Sequence, residues 1–457
     1  MTSIGLYALE GGLRVVFALY GVLVVAHFLL QTVFAHLAWR RGLRAAHAPD
    51  DGWQPSVDVV VACYNEDPAR LGTCCAALLR QDYQGELRVY LIDDGSGNRE
   101  ALVPVYERYA ELPGWEILLP DRNAGKRHAQ DLAVRYCRAD LIVTIDSDTE
   151  IAPDGVRLIV QPFRDPRVGA VTGNVGVSNA SANLLTRLIS LRYWAAFNQE
   201  RAAQSYFGTV LCCSGPFAVY RRAALEEIWS RYVSQTFRGV ACTYGDDRHL
   251  TNLVLSRDYL TLFEPRAHAV THAPATLREY LRQQLRWNKS FYRELLWTLP
   301  FVPRRPPYVA FEVITQTLLP LLLTLTVGSA LASAILVRPS VLFRYLAAVV
   351  VMALLHCAYG VWRNRDPRFL LFVLYGFLHA GLLIPIRLRA LSTLTDNRWG
   401  TRAQPAQRQR QHGHRAGSLP AGRLPGEHAP APDHPVAVHA HHRAGEDEHC
   451  GVVAGRR

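Results

Sequence analysis

Residues 139–150 read ADLIVTIDSDTE: five apolar or β-branched residues in succession, Leu141 to Ile145, followed by Asp146, Asp148 and Glu150 spaced one apart. A strand built for burial on both faces therefore ends on carboxylates. Side chains alternate along a strand, so Asp146 and Asp148 point the same way from its end and suit one hard divalent cation, Mg2+ or Mn2+, that bridges them to a diphosphate. A strand-terminal D-x-D of this kind is a signal for a nucleotide-sugar transferase. The ordinary alternative is a turn carrying solvated acids, which are common at such positions. A lone D-x-D leaves both readings open.

Working outward, VDVVVAC (57–63), LRVYLID (87–93) and WEILLP (115–120) are further short apolar runs, separated by stretches of helical pattern. That alternation predicts an α/β domain with a mostly parallel sheet covered by helices. Ligands of such sheets sit beyond the carboxyl ends of the strands. YNED (64–67), DDGS (93–96) and DSDT (146–149) all fall there.

Within DDGS, Asp93 and Asp94 can accept hydrogen bonds from a uracil N–H or a ribose hydroxyl. NAGKRHAQ (123–130) offers Gly125 for close backbone approach, and Lys126 and Arg127 at a helix start suited to a phosphate. YGDDRHLT (244–251) carries a second acidic pair, Asp246 and Asp247, opening an apolar helix. Its ordinary alternative is a helix N-terminus with favourable dipole placement. Its functional reading is a general base that takes the proton of a sugar hydroxyl. Two adjacent acids also tend to separate in pKa.

The flanks belong to another solvent. Residues 12–39, GLRVVFALYGVLVVAHFLLQTVFAHLAW, are long enough to cross a bilayer with Arg14 and two histidines as polar interruptions. Arg40, Arg41 and Arg44 follow, which places the next segment in the cytoplasm. From Leu277 to Leu296, apolar residues recur at helical spacing against a strongly cationic face, predicting a helix in the membrane interface. Here Gln283, Arg286 and Trp287 form Q-x-x-R-W, in which Arg286 can grip a departing diphosphate and Trp287 can stack on a sugar. Apolar spans follow at about 309–337 and 341–362. A third stretch, FLLFVLYGFLHAGLLIPI (369–386), contains Gly376, Gly381 and Pro385 and precedes Arg387, Arg389, Arg398 and Arg402, which predicts a re-entrant or interfacial segment.

The expected organisation is thus a transmembrane helix over 1–45, a cytoplasmic catalytic domain over 55–275, an interfacial helix with membrane segments over 276–402, and a tail over 403–457. The tail is Arg, His, Pro, Gly and Ala without periodicity, a composition that cannot bury a core. Its abrupt onset suggests a change of reading frame. Nine cysteines without metal-ligand spacing read as reduced thiols. The formal net charge of +11 concentrates beside membrane segments and in the tail, not among aromatics on a soluble face, which argues against a nucleic-acid partner.

Taken in order, CYNEDP (63–68), IDDGS (92–96), GKRHAQ (125–130), DSDT (146–149), NLLTRL (183–188), ERAAQS (200–205), CSGP (213–216), YRR (220–222), QTF (235–237), GDDRHLTN (245–252), YLRQQLRWNKSFYRE (280–294), LYGFLH (374–379) and WGTR (399–402) resemble the processive family-2 glycosyltransferases. More narrowly the chain resembles hyaluronan synthases of the streptococcal type. Rhizobial-type chitooligosaccharide synthases share most of these strings and resemble it in the single N-terminal span. GDDRHLTN and QQLRWNKSFYRE are similar to the hyaluronan group.

The resemblance implies a GT-A-type fold embedded between transmembrane and interfacial helices. It implies a uridine-binding role for Asp94, metal and diphosphate contact for Asp146 and Asp148, and a place near the diphosphate for Lys126. Cys213 would line the acceptor site, Asp247 would be the catalytic base with Asp246 as helper, and Gln283, Arg286 and Trp287 would close over donor and acceptor. The expected function is a hyaluronan synthase at the cytoplasmic membrane, using UDP-GlcNAc and UDP-glucuronate and passing the growing polysaccharide outward among lipid-embedded spans. The alternatives are an N-acetylglucosaminyltransferase making chitin oligosaccharides from UDP-GlcNAc, and an inactive membrane-anchored sugar-nucleotide binder.

Overall fold

The computed structural model describes residues 3–45, 52–336 and 339–397. The tail from 403 and the WGTR string at 399–402 lie outside the described residues, as do Arg398 and Arg402. The four runs read from the sequence form β1 (Val57–Cys63), β2 (Leu87–Asp93), β3 (Trp115–Leu118) and β4 (Leu141–Asp146). Four more strands join their sheet: β5 (Glu150–Ile151), β6 (Val168–Val177), β7 (Ala218–Arg221) and β10 (Leu260–Thr271). A separate hairpin pairs β8 (Thr236–Phe237) with β9 (Val240–Ala241).

The sheet order is β3-β2-β1-β4-β7-β6-β10-β5. Strands β3, β2, β1 and β4 run parallel, as does β6 with β10. Strand β7, only four residues long, lies antiparallel between β4 and β6, and β5 is antiparallel to β10. The expected mostly parallel sheet is therefore parallel in its first half and mixed in its second. Register aligns Cys63 with Asp93 and Ala62 with Asp146, so the parallel strands end together at one rim. Their residues are buried nearly throughout, as a sheet covered on both faces requires.

Helix Ser3–Ala45 precedes the domain, and helices Pro307–Leu336 and Ser340–Asn364 follow it. Four helical runs, Val15–Gly42, Pro307–Ile335, Tyr345–Asn364 and Pro367–Ser392, are long and apolar enough to cross a membrane. The last departs from expectation. Its glycines and Pro385 do not break it: a 3-10 turn (Pro367–Leu371), an α turn (Phe372–Leu378), a π segment (His379–Leu383) and a final α-helix (Ile384–Ser392) succeed one another without a gap. Pro385 falls in the first turn after the π segment, where a missing N–H costs little.

Helix Leu277–Thr298 turns part of its cationic face inward. Arg293 and Lys289 are 1% and 3% exposed. Arg293 donates to the Leu394 carbonyl, and to the Tyr244 hydroxyl at 3.1 Å, while Lys289 lies 3.3 Å from the Asp396 carboxylate. The two cations hold residues 394–396 against the catalytic domain. Exposed on this helix are Leu277, Arg278, Glu279, Trp287 and Leu296.

Candidate active site

Where the parallel strands end, the chain makes two different uses of adjacent aspartates. Asp93, the last residue of β2, is fully buried; it accepts from Ser96 N at 2.8 Å and pairs with Arg99 Nε at 2.8 Å. Asp94 points to the other side and lines a cavity of about 1770 Å³. Its carboxylate accepts from Ala124 N and Gly125 N, both at 2.9 Å, and from Asn123 Nδ2 at 2.8 Å. Burial pushes its pKa up, and the two backbone N–H groups work against that. Gly125 has φ +98°, a conformation that L side chains rarely adopt, and this turn starts helix Lys126–Val134.

Lys126 then stands between two carboxylates, 2.6 Å from Asp146 Oδ1 and 3.0 Å from Asp246 Oδ2. Burial disfavours its charge, but the two acids more than offset this and hold its pKa well above that of an ordinary lysine. Sequence reading placed Lys126 near a diphosphate but could not see this bridge across 120 positions. It also missed Gly215. A Cβ there would lie 3.2 Å from Lys126 Nζ and 3.4 Å from Asp146 Oδ1, so glycine leaves the bridge room.

Asp246 and Asp247 open helix Asp246–Ser256. Burial raises both, but Lys126 and Arg127 overcome it at Asp246, whose pKa is lowered. At Asp247 burial is reinforced by the charge of Asp246, and its pKa is raised. One acid is thus fixed as a carboxylate, and its neighbour is pushed toward the range of a working base. Cys212 Sγ donates to Asp247 Oδ2 at 3.5 Å; burial and that aspartate push its thiol up to about 12. Cys213, expected on the acceptor wall, is fully buried, and its backbone N–H donates to Thr251 Oγ1 at 2.9 Å. Chain alternation turns Cys212 to the cavity and Cys213 into the core.

Asp146, Asp148, Gln283, Arg286 and Trp287 line the same cavity. Trp287 lies 6.4 Å, ring to ring, from Tyr193. Burial raises the Tyr193 hydroxyl pKa, and Asp148, Asp146 and Asp247 add to it, so three acids of the site act on one point. The wall at Cys212–Ser214 is clamped by Arg201, which donates to Cys212 O at 3.0 Å and Ser214 Oγ at 2.7 Å. Arg201 ends a π-helical segment, Ala196–Arg201, a distortion frequent at functional sites.

Among the described residues no group of three or more His, Cys, Asp and Glu is placed to hold a metal ion by itself. Asp146 and Asp148 nevertheless fit an ion that arrives with a diphosphate. They are hard oxygen donors at one rim, and Asp146 Oδ2 accepts no hydrogen bond from the described residues.

The family model for glycosyl transferase family 2 matches residues 58–229, which carry the strand-end acids. An N-acetylglucosaminyltransferase of Sinorhizobium fredii (strain NBRC 101917 / NGR234) is 43% identical over 392 residues, covering 86% of this chain and 94% of that protein. The chain belongs to glycosyltransferase family 2. An N-acetylglucosaminyltransferase of Rhizobium meliloti (strain 1021) is 40% identical over 397 residues, 87% of this chain and 93% of that one. One of Neorhizobium galegae is 44% identical over 348 residues, 76% and 80%. A solved mannosyltransferase from Pyrobaculum calidifontis, in complex with GDP-Man and Mn2+, superposes with a TM-score of 0.51 at 20% identity, over 79% of this chain and 98% of that one. This family-2 enzyme is a glycosyltransferase with a GT-A fold and a mixed sheet, and the relatives named above are N-acetylglucosaminyltransferases, which does not bear out the hyaluronan synthase expectation.

Proposed function

We propose that this enzyme is a processive, inverting N-acetylglucosaminyltransferase that builds chitin oligosaccharides from UDP-GlcNAc at the cytoplasmic face of the cell membrane. The observation that carries the reading is one cavity with two linings. Asp94, Lys126, Asp146 and Asp247 line it together with Tyr20, Val24, Leu319, Leu323 and Tyr345 of the apolar helices. A site that joins new sugar to a chain leaving among membrane helices needs both. The names of the relatives favour GlcNAc as the unit transferred.

In this reading Asp94 accepts from the uridine, and Lys126 and Arg286 meet the diphosphate. Asp247 takes the proton of the acceptor hydroxyl as that oxygen bonds to the anomeric carbon and the bond to UDP breaks in line. Asp246, held ionised by Lys126, keeps Asp247 basic through its charge. Gln283 and Trp287 position the acceptor sugar, Trp287 by stacking. Asp146 and Asp148 would hold Mg2+ or Mn2+, whose charge neutralises the departing diphosphate.

One observation favours the hyaluronan reading instead. Arg387 lines the cavity, bonds Asn288 Oδ1 at 3.2 Å and His379 Nε2 at 3.3 Å, and pairs with no carboxylate among the described residues, which suits an acidic uronate in the passing chain. Purified enzyme given UDP-GlcNAc, UDP-glucuronate and then both separates the two. Oligomer from UDP-GlcNAc alone, unchanged by added UDP-glucuronate, is expected. Polymer only with both donors would overturn the proposal in favour of hyaluronan.

A further inference from the structure

Below the cavity, on the same helix as Gln283, Arg286 and Trp287, lies a carboxylate with no part in the chemistry above. Glu294 is 2% exposed. It accepts from three side chains: Gln235 Nε2 at 2.6 Å, His249 Nδ1 at 3.0 Å and Asn252 Nδ2 at 3.1 Å. His249 and Asn252 stand three apart on one face of helix Asp246–Ser256, whose first turn carries Asp247. Gln235 immediately precedes strand β8. One buried side chain thus joins the helix of the general base, the segment leading into it, and the helix that carries Q-x-x-R-W.

A second contact lies one turn nearer the cavity. Gly245 packs on Ser290 so closely that a Cβ would come within 2.1 Å of the Ser290 hydroxyl oxygen. The His249 ring also stands edge-on to Trp297 at 5.1 Å. The two helices therefore meet through a glycine contact, a buried polar knot and an aromatic pair. A buried carboxylate is costly unless its oxygens are satisfied, and an apolar residue would pack this interface more cheaply. What the carboxylate adds is direction. Three donors of fixed geometry converge on two oxygens and leave little freedom for one helix to slide on the other.

The geometry points to Glu294 as a positioning residue that sets the separation of Asp247 from Arg286 and Trp287, so that the proton acceptor and the leaving-group side of the site stay in register during transfer. The inference rests on Asp247 being the base. Misplacement of catalytic groups by about 1 Å costs on the order of 100-fold in rate.

The test uses the full chain in detergent or proteoliposomes, with UDP-GlcNAc as donor and the amount of active enzyme fixed by UDP binding. Glu294→Gln is expected to lower kcat 10- to 100-fold per UDP-binding site, leave donor KM within twofold, and move the acidic limb of the kcat–pH profile. Asn252→Ala, which removes one donor only, should lower kcat about threefold to tenfold with KM again unmoved; it keeps the test open if Glu294→Gln fails to fold. A purely structural Glu294 would reduce the number of UDP-binding sites and leave kcat per site and the pH limb untouched. That result, or full kcat in both variants, overturns the inference. Asp247→Asn run beside them separates the two readings: an inert Asp247→Asn with a fully active Glu294→Gln sinks only the positioning role, whereas an active Asp247→Asn removes the base on which both depend.

Discussion

Asp93–Asp94 and Asp246–Asp247 are the same dipeptide placed at opposite kinds of terminus, one ending a strand and the other opening a helix. In each, one member is matched by a cation, Arg99 or Lys126; the other, Asp94 or Asp247, lines the cavity, which Asp246 lines as well. The environments of the cavity-facing pair then diverge. Burial raises both, but Asp94 is wrapped by three N–H donors that work against it, whereas Asp247 accepts from one backbone N–H, that of Arg248, and a weak thiol donor, and the charge of Asp246 adds to its burial. Identical chemistry at the residue level thus meets two environments, which the proposed function assigns to binding in one place and to proton acceptance in the other. What decides is the number of hydrogen-bond donors and the sign of the nearest charge.

The comparison breaks most sharply at Asp247. Asp247→Asn should lower kcat by about 100- to 10,000-fold, the range lost with a general base, while UDP binding persists; UDP release at saturating donor reads it. If activity survives, the two pairs are not functionally distinct. Asp93→Asn tests the opposite corner. It strands Arg99 beside a buried amide and should cost roughly 3 kcal/mol of stability, seen in chemical unfolding, with donor KM unchanged in the surviving fold.

Asp94→Asn offers the loop an amide where two backbone N–H groups need an acceptor. About 1–2 kcal/mol is at stake, so donor KM should rise about tenfold with kcat nearly constant. The smallest effect sharpens the contrast between the acids. Asp247 works deprotonated and its pKa is raised, so the rate should hold at neutral pH and fall as pH drops through a value above the ordinary aspartate pKa of about 3.9. Lys126 lowers the pKa of both acids of the pair, so Lys126→Met should shift that limb to higher pH in whatever activity remains.

The strands that end on acids were legible because burial and alternation are written locally: LIVTID, LRVYLID and VDVVVAC each form the strand expected. The second half of the sheet was not. Strand β7 is four residues, and β6 carries Gly169, Gly173 and Gly176, which blur its period. Site members were legible one by one, but their partners were not. Nothing near Lys126 announces Asp246, and nothing near Arg293 announces Leu394, because pairing across a hundred residues is a property of the fold. The same blindness left Lys289 and Arg293 of helix Leu277–Thr298 on an open face: without residues 394–396 in view, that was the only home for their charge. Cys212 and Cys213 exchanged roles for a simpler reason: one step along an extended chain reverses the direction of a side chain.

The anchoring of residues 394–396 by Arg293 and Lys289 bears on how this enzyme can be handled. Cutting the chain after residue 276 to obtain a water-soluble fragment would remove Glu294 from beneath the base and open the domain where helix Leu277–Thr298 covers it. Stopping at 392 would instead keep that helix but leave two buried cations without their acceptors. Crystallisation or engineering should therefore begin from a polypeptide that runs at least through Asn397, kept in detergent or lipid, and not from an excised catalytic lobe.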